Sequence, residues 1–273
     1  MRVTLNGKIV DTECKSVFEL GRGVGGGVNP DGGETVVILN GYQLSKDAGL
    51  KDGDTVSFIK KGVMPGRDEL ESMMAARHTP GAHEKLKAAR VAVAGLGGLG
   101  SHIAVSLARL GVGELLLVDY DVVEPSNLNR QSYFISHLGM KKTDALKNQL
   151  ADINGFIYVN TVDAFITEDN AANLFKGYNI VCEAFDNPES KAVLVSTLLS
   201  KLPGVKVVAA SGLAGFGSSN DIRTRVNFGR LYVCGDETSA AEIGCGLMSP
   251  RVQICAGHQA NMVLRLILGI DDA

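Results

Sequence analysis

The amino-acid sequence predicts an α/β protein with a mainly parallel sheet and helices on both faces, preceded by a small domain of short strands. Two observations lead to this prediction. From residue 90 onward, continuous apolar runs alternate with segments of helical periodicity, as in parallel strands joined by crossover helices. Before residue 64, short alternating runs are separated by two-residue turns typical of hairpins. We therefore divide the 273 residues into a first domain 1–64, a helical connector 65–89 and a larger domain 90–273.

The first domain is predicted to contain two hairpins, a short helix and a final strand. Asn6-Gly7 and Asn40-Gly41 form the hairpin turns in "RVTLNGKIV" and "TVVILNGYQL", because Asn and Gly tolerate the positive φ of such turns. "SVFELGRG" is helical, the glycine-rich segment 24–33 is a flexible connection, and Thr55–Lys60 is the last strand. This order and length resemble a β-grasp (ubiquitin-like) domain, and more narrowly the small sulfur carriers of the ThiS type.

The end of this domain departs from those carriers, which finish in a free Gly-Gly whose carboxylate reacts. Here "KKGVMPG" continues into "RDELESMMAARH", so the corresponding carboxylate is held in a peptide bond. Three interpretations are open. We favour a non-reactive, carrier-like domain; the others are a carrier released by cleavage after Gly62 or Gly66, and a module for folding or dimerisation.

The larger domain begins with the buried strand "VAVAGL" and a helix over "SHIAVSLARL", which ends at Gly111. The strand "ELLLVD", the helix "KKTDALKNQLADI" and the strand "YVNTVD" follow. A further buried strand, Ile180–Ala184, precedes the helix "SKAVLVSTLLSKL" and the strand "KVVAAS", and a long apolar-faced helix begins near Pro250. This alternation is typical of a Rossmann-like sheet.

The turn after the first of these strands, "GLGGLG", holds Gly95, Gly97 and Gly100 in the spacing G-x-G-x-x-G. Between a strand and a helix, such a turn brings backbone N–H groups and the helix dipole to a phosphate group. The extra Gly98 allows a ligand to approach along the whole turn. The pattern predicts a nucleotide without identifying it, and a purely structural tight turn is the alternative.

The polar run after the second strand favours ATP over a nicotinamide. Asp119 ends that strand, where an acid can bind the ribose hydroxyls, and an NAD site needs little beyond it. A guanidinium with neighbouring amides instead suits a triphosphate, and lysines at the start of the next helix add charge. The polar residues concerned are Asp121, Ser126, Asn127, Arg130, Lys141 and Lys142.

The motif "AFDN" places Asp186 and Asn187 at the carboxyl end of another strand, where ligands bind in open α/β sheets. An Asp near a triphosphate is a natural magnesium ligand, because Mg²⁺ prefers a few carboxylates with phosphate oxygens and water. The alternative for Asp186 is an ordinary helix cap before Pro188.

Four motifs in order, "GLGGLGSH", "VDYDVVEPSNLNRQ", "GMKK" and "AFDN", resemble those of the ThiF/MoeB/HesA adenylyltransferases, which are relatives of ubiquitin-activating enzymes. The resemblance covers roughly residues 77–270 and is closest to the shorter ThiF-like branch associated with thiamine biosynthesis. It implies ATP-dependent adenylylation of the C-terminal carboxylate of a ubiquitin-like sulfur carrier, in thiamine (thiazole) or related sulfur-cofactor biosynthesis. ATP and Mg²⁺, a ThiS-like carrier partner and a homodimer are implied with it.

The same resemblance implies roles for individual residues. Gly98 lies against the phosphates and Asp119 binds the ribose, while Asn127 contacts the triphosphate. The predicted catalytic residues are Arg130 on the triphosphate, Lys142 on the developing pyrophosphate and Asp186 on magnesium. The full set of predicted nucleotide-binding residues is Gly95, Gly97, Gly98, Gly100, Asp119, Asp121, Ser126, Asn127, Arg130, Lys142, Asp186 and Asn187.

Composition and the spacing of the cysteines argue against several classes of protein and of metal site. The formal charge of −3 argues against a general nucleic-acid binder, and neither a signal peptide nor a membrane span is evident, so we expect a cytoplasmic protein. There is no C-x-x-C pair, so we predict no zinc. Cys182 and Cys255 are expected in the core, and Cys234 and Cys245 are expected to be incidental thiols rather than nucleophiles.

Three questions stay open at this point. The first is whether Arg77 acts in the neighbouring subunit's site, because it is the one near match to an arginine that many relatives insert there. An NAD-linked oxidoreductase and a non-enzymatic scaffold with a carrier-mimicking domain are the alternative functions.

Overall fold

The structure is a computed structural model that describes residues 1–23 and 33–273. These residues form two compact units, Met1–Glu84 and Lys85–Ala273. The boundary falls inside the predicted connector 65–89, whose exact limits stay a prediction. The predicted flexible connection 24–33 lies outside the described residues except for Gly33.

The first unit is a mixed five-stranded sheet with one helix packed against it. The sheet order is β2-β1-β5-β3-β4, with β1 parallel to β5 and the other neighbours antiparallel, which is the predicted β-grasp arrangement. At the two hairpin turns, φ is 47° at Asn6 and 50° at Asn40, and the following glycines are also positive. The elements are β1 (Arg2–Leu5), β2 (Lys8–Asp11), α1 (Val17–Gly23), β3 (Thr35–Leu39), β4 (Tyr42–Gln43) and β5 (Thr55–Lys60).

Part of the predicted connector belongs to this first unit. The helix α2 (Arg67–Met74) lies so close to the first hairpin that a Cβ added at Gly7 would be 2.8 Å from the Ser72 Cβ. A Cβ added at Gly41, in the second hairpin, would be 2.6 Å from the His78 carbonyl oxygen. Glycine is therefore required at both turns for two reasons, the backbone conformation and the approach of the connector.

The second unit is a seven-stranded sheet in the order β11-β12-β10-β9-β6-β7-β8, parallel throughout except for the antiparallel edge strand β11. The sequence interpretation missed both β11 and β12. The edge strand β11, "RTRVN", alternates arginines with other residues and lacks a continuous apolar run, whereas β12, "LYVCG", has the apolar run of a buried strand. The elements from the unit boundary onward are α3 (Ala82–Ala88), β6 (Arg90–Ala94), α4 (Gly98–Leu110), β7 (Glu114–Asp119), α5 (Lys142–Ile153), β8 (Tyr158–Asp163), α6 (Glu168–Leu174), β9 (Ile180–Glu183), α7 (Pro188–Lys201), β10 (Lys206–Ala210), β11 (Arg223–Asn227), β12 (Leu231–Gly235) and α8 (Ser249–Leu268).

Helices cover both faces of this sheet, as predicted. On one face, alternate strand residues such as Leu116 and Val181 form a buried cluster with α6 and α7. The intervening residues, such as Leu117 and Val93, are fully buried on the opposite face, against which α4, α5 and α8 pack. Burial on both faces explains why these strands read as continuous apolar runs. In the part of the chain that the structure describes, none of the helices has the length and apolar character needed to cross a bilayer.

The order of the strands creates a crevice at their carboxyl ends. The chain passes from β6 to β7 and β8 on one side, and then crosses back to β9 and β10 on the other side of β6. The connections after β6 and β9 therefore leave the sheet in opposite directions, which is where ligands bind in open parallel sheets.

Candidate functional site

A cavity of about 560 Å³ opens at this crevice. Its wall is built by the residues that follow β6, β7, β8, β9, β10 and β12, so that it runs along the carboxyl edge of the sheet. Nine of the twelve predicted nucleotide-binding residues line it, and Arg130, Lys142 and Asp186 are among them. The three that do not line it are Gly100, Ser126 and Asn127.

The glycine turn contains one residue that is open to the cavity and others that pack closely against their neighbours. A Cβ added at Gly97 would meet nothing nearer than the Gln131 Nε2, at 3.8 Å, so this glycine is open to a ligand. At Gly98 the added Cβ would be 2.9 Å from the Val252 side chain. Gly100 instead lies directly against the Gly95 carbonyl oxygen, and its role is to bring the first turn of α4 close to the strand end.

Asp119 is buried at the end of β7 and already holds the glycine turn. Its Oδ2 accepts the Leu96 N–H at 2.6 Å, and its Oδ1 accepts the Asp121 N–H at 2.8 Å. Burial raises the pKa of Asp119, and the nearby Lys142 ammonium opposes that shift. Because each carboxylate oxygen can accept more than one hydrogen bond, both oxygens can still accept a ribose hydroxyl.

Lys142 is a buried ammonium at the first position of α5. Its Nζ donates to Asp121 Oδ2 at 2.7 Å, and its backbone N–H donates to the Asp121 carbonyl oxygen at 2.9 Å. Both residues line the cavity, Asp121 is half-exposed, and the bond to its carboxylate uses one of the three donors of the ammonium. Lys141 differs, because its ammonium is paired with Asp163 and does not line the cavity.

Arg130 lines the cavity, and the turn before it fixes its position. Its Nη1 donates to the Ser126 carbonyl oxygen at 3.1 Å and to Asn129 Oδ1 at 3.0 Å. Asn127 is itself buried, and its Oδ1 accepts the Glu124 N–H at 3.0 Å, closing the short 3-10 turn. Neither Ser126 nor Asn127 lines the cavity, and both help to hold the turn that carries the guanidinium. The Asn127 bond uses the amide oxygen, whereas a phosphate would accept from the amide N–H₂ group, so the nucleotide contacts of both residues stay predictions.

Asp186 and Asn187, which follow β9, have different roles in the structure. Asn187 Oδ1 accepts the Ser190 N–H at 2.8 Å and caps α7, with Pro188 as the first helical residue. The cap that was an alternative for Asp186 is therefore made by its neighbour. The Asp186 carboxylate is exposed and lines the cavity, where it could meet a cation. Among residues 1–23 and 33–273, no three His, Cys, Asp or Glu side chains are grouped to hold a metal ion.

Two cations near this cavity were missed by the sequence interpretation. Lys191 lines the cavity and is paired with the fully buried Glu183. Arg251 is buried and paired with Asp236, whose carboxylate accepts the Thr238 and Ser239 N–H groups of the cavity wall, both at 2.8 Å. Both cations lie in the first turns of α7 and α8, where the helix dipole disfavours positive charge. That position is the signal that could have identified them.

The buried cysteines cannot act as nucleophiles in this arrangement. Cys182, Cys234 and Cys255 are fully buried, which confirms the core positions predicted for two of them. Burial raises the pKa of Cys234 to about 11, so it carries no appreciable thiolate near neutral pH. Cys245 is partly exposed and is unpaired with another cysteine. Arg77 donates to Gln43 Oε1 within the first unit.

Comparison with known proteins finds relatives of both units. Residues 71–273 match the model of the ThiF family, and residues 1–62 match that of ThiS-like ubiquitin domains. The adenylyltransferase and sulfurtransferase UBA4 of Saccharomyces cerevisiae is 37% identical over 193 residues, which cover 68% of this chain and 43% of that protein. The chain thus spans less than half the length of this curated relative.

Two further similarities concern a different named activity. The tRNA threonylcarbamoyladenosine dehydratase of Haemophilus influenzae is 36% identical over 140 residues, covering 50% of this chain and 53% of that protein. The crystal structure of the E. coli enzyme of that name in complex with ATP superposes with a TM-score of 0.66 at 22% identity, covering 76% of this chain and 98% of the other. At that identity the superposition supports the fold.

Proposed function

Since this chain belongs to the ThiF family, we propose that it uses ATP to adenylylate the C-terminal carboxylate of a ubiquitin-like sulfur carrier. The observation that supports this most is the convergence of Arg130, Lys142 and Asp186 on one cavity with the glycine turn, from three separate strand ends. The names of the UBA4 relatives, which describe an adenylyltransferase and sulfurtransferase, point to the same chemistry. A role in thiamine or related sulfur-cofactor biosynthesis is part of the proposal, supported by the ThiS-like match of residues 1–62.

The lining residues suggest how the nucleotide lies. The two free acceptor positions of Asp119 suit the ribose hydroxyls. Beside it, the rings of Tyr120 and Phe165 pack edge to face, 5.1 Å apart, and both line the cavity while remaining half-exposed. Such aromatic surfaces suit a base. The phosphates then pass over Gly97 and Gly98 toward the two cations.

The reaction needs positioning more than covalent catalysis. An oxygen of the carrier's carboxylate attacks the α-phosphorus, an acyl–oxygen–phosphorus bond forms, and the bond from the α-phosphorus to the bridging oxygen breaks. Pyrophosphate leaves with the electron pair of that bond, and no proton needs to be removed from a carboxylate nucleophile. Arg130 and the Lys142 ammonium stabilise the charge that grows on the leaving group.

Asp186 fits the magnesium that this chemistry implies. It offers one exposed carboxylate at the cavity wall, and Mg²⁺ is usually held by one or two carboxylates, with phosphate oxygens and water completing its shell. When bound, the ion would neutralise phosphate charge. The absence of zinc stays a prediction.

Pyrophosphate exchange tests the proposal. The protein is incubated with ATP, labelled pyrophosphate and each of a panel of ThiS-type carriers ending in Gly-Gly. We expect carrier-dependent exchange that falls by roughly 10²–10³-fold in Arg130→Ala, the loss typical of one transition-state donor. ATP binding without exchange for any carrier would favour the scaffold alternative, and NAD binding measured by fluorescence would favour the oxidoreductase. The same assay with tRNA in place of the carrier tests the substrate class that the name of the dehydratase relatives indicates.

The fused β-grasp unit is proposed to be a non-reactive, carrier-like domain. The carbonyl oxygen of Gly66 accepts the Leu70 N–H at 3.0 Å and begins α2, so the position of the expected tail is built into a helix. Cleavage after Gly66 would break the peptide bond that joins this residue to the helix. Intact-mass spectrometry of the native protein should show one species. A discrete fragment ending at Gly62 or Gly66 would overturn this part of the proposal.

A homodimer is also proposed, through an apolar patch on the second unit. The patch consists of Val122, Phe134, Ile135 and Leu138, which are 40–78% exposed. The Val123 N–H donates to the Met140 carbonyl oxygen, and the Gly139 N–H donates to the Val123 carbonyl oxygen, which brings the two segments of the patch together. Ile135→Glu should shift sedimentation from dimer to monomer, whereas a monomeric wild type would refute this patch as an interface. The cytoplasmic location remains a prediction.

A further inference from the structure

The cavity is longer than the proposed nucleotide contacts require. Residues after β6, β7 and β8 line one end, and residues after β9, β10 and β12 line the other. At a strand spacing of about 4.8 Å, the edge from β8 to β12 spans roughly 24 Å. Asp119, Lys142 and Arg130 all belong to the first end. Asp186, the proposed magnesium ligand, follows β9, which is next to β6, so it lies at the border of the two ends. The remainder of the second end is therefore available to the second substrate.

Lys191 is the one basic side chain among the described residues that line this second end. Its Nζ donates to Glu183 Oε2 at 2.6 Å and to the Ala210 carbonyl oxygen at 2.5 Å. An ammonium has three N–H donors, so one donor is left for a ligand. The Lys191 side chain remains 27% exposed at the cavity.

Glu183 holds this ammonium in place. It is fully buried at the end of β9, and its Oε1 accepts the Phe185 N–H at 2.7 Å. Gln259 Nε2 donates to the carbonyl oxygens of Glu183 and Val208, at 3.0 and 3.1 Å, and so ties this strand end to β10. The pair is thus anchored by backbone groups on two adjacent strands.

Stability alone gives no reason for this pair. A buried ion pair is commonly no more stabilising than apolar residues of the same size. Lys191 is also the fourth residue of α7, where the helix dipole disfavours a cation. An ammonium kept at such a position, facing a cavity, indicates a ligand.

We propose that Lys191, oriented by Glu183, binds the free carboxylate of the second substrate and directs it to the α-phosphate. This inference rests on the proposed function, and it assigns the carboxylate site. Both reactants are anions, so a cation must offset their repulsion. Because the glycine turn and the Arg130 guanidinium lie at the opposite end of the cavity, we place the triphosphate there, and Lys191 remains available to a carboxylate. Lys191 would touch the substrate; Glu183 is a positioning residue.

Binding of a carrier and its amide tests this assignment. The probe is a ThiS-type carrier ending in Gly-Gly, prepared as the free acid and as the C-terminal amide, titrated calorimetrically with a non-hydrolysable ATP analogue present. The wild type should bind the acid roughly tenfold more tightly than the amide, the effect of one charge-assisted hydrogen bond. Lys191→Met should abolish this preference while changing the affinity for the ATP analogue by less than about twofold. Lys191→Arg should restore part of the preference.

Two further variants separate binding from folding. Lys191→Met leaves Glu183 buried without a partner, so Glu183→Gln/Lys191→Met removes both charges and should melt closer to the wild type while also lacking the preference. Lys201→Met is the matched control, because Lys201 lies on the same helix in an exposed pair with Glu168 and outside the cavity lining. It should behave as the wild type does.

The outcomes are distinguishable from those of the proposed function. No acid preference in the wild type, or a preference that persists in Lys191→Met, overturns the carboxylate site. A loss of ATP-analogue affinity equal to the loss of carrier affinity also overturns it, because Lys191 would then serve the nucleotide. Acid preference without any pyrophosphate exchange would leave the carboxylate site supported and refute the adenylylation step.

Discussion

Alanine at Gly97 and at Gly100 should damage different properties of the protein. A Cβ at Gly100 would lie 1.8 Å from the Gly95 carbonyl oxygen, whereas relaxed carbon–oxygen contacts are about 3.3–3.6 Å. The obstructing atom is backbone, so the first turn of α4 must move away by more than 1 Å, as a rough estimate from that contact distance. A Cβ at Gly97 would have 3.8 Å to its nearest neighbour and would enter only the cavity that we propose binds the nucleotide.

These distances set the expected magnitudes. Overpacking costs about 1–3 kcal/mol when neighbours can yield, and we expect Gly100→Ala to reach the upper end. At about 2–4 °C per kcal/mol for a unit of this size, its Tm should fall by about 6–12 °C. Gly97→Ala loses only a favourable N-cap residue, worth about 1 kcal/mol or less. Its exchange rate should fall by roughly 10²-fold, the loss expected when a reacting group is misplaced by about 1 Å.

Thermal melting and pyrophosphate exchange, run on the same preparations, measure the two effects. Gly257→Ala is a suitable control, because nothing lies within 4 Å of the added Cβ and the site is inside α8. That variant should be active and more stable by about 0.5–1 kcal/mol, the helix preference of Ala over Gly. If Gly97→Ala lowers Tm as much as Gly100→Ala, or if Gly100→Ala melts as the wild type does, the division of the turn into ligand and packing glycines is wrong.

Three other predictions test the site. Lys142→Met should lower the exchange rate by roughly 10²–10³-fold. Its Tm should fall by only a few degrees, because its partner Asp121 is half-exposed and stays solvated. A large fall in Tm together with the loss of exchange would argue that Lys142 is structural. Asp186→Asn should keep the wild-type Tm but reduce the exchange rate and its dependence on added Mg²⁺, as measured by a magnesium titration. Asn187→Ala should instead lose about 1 kcal/mol of stability through the lost helix cap, as measured by melting. At Asp236, burial raises the pKa, but hydrogen bonds from Ser239, Thr238 and Arg251 outweigh it and hold the pKa well below the usual 3.8. Stability from a lowered pKa is present above the unfolded value and is lost as pH falls, so the Tm advantage of the wild type over Asp236→Asn should be full above about pH 5 and shrink below about pH 4; an advantage independent of pH would refute the ionised pair.

Most elements of the fold could be predicted because their signals are local. The strand "ELLLVD" and the last strand of the first unit, Thr55–Lys60, match the predicted limits. The helix stop at Gly111 is confirmed by its φ of 77°. Apolar periodicity and residues that tolerate positive φ act over a few neighbours, so no tertiary information is needed to read them. The weakly apolar edge strand β11 carries no such signal, since its pairing with β12 depends on the rest of the sheet.

The site was predictable as a set of motifs, and less so as a set of contacts. Asn127 carries an amide close to Arg130, which predicts a phosphate contact, but the sequence does not show that its oxygen also closes the turn before the guanidinium. Gly100 fits the glycine motif and packs a helix instead. Residue type and spacing do not distinguish a side chain that binds a ligand from one that holds its neighbour, because that depends on which way the folded backbone points it.

The sequence by itself determined the order of most strands and helices, the two hairpins, and the presence of a glycine-rich turn followed by an acid, a guanidinium, an ammonium and a second acid. Only the tertiary structure decided that Arg130, Lys142 and Asp186 share one cavity with Lys191. It also decided that the buried Glu183 carboxylate pairs with the Lys191 ammonium. The physical reason is that separate strand ends are brought together by the order in which the strands pair, which arises from long-range packing and is not encoded in the spacing of residues along the chain.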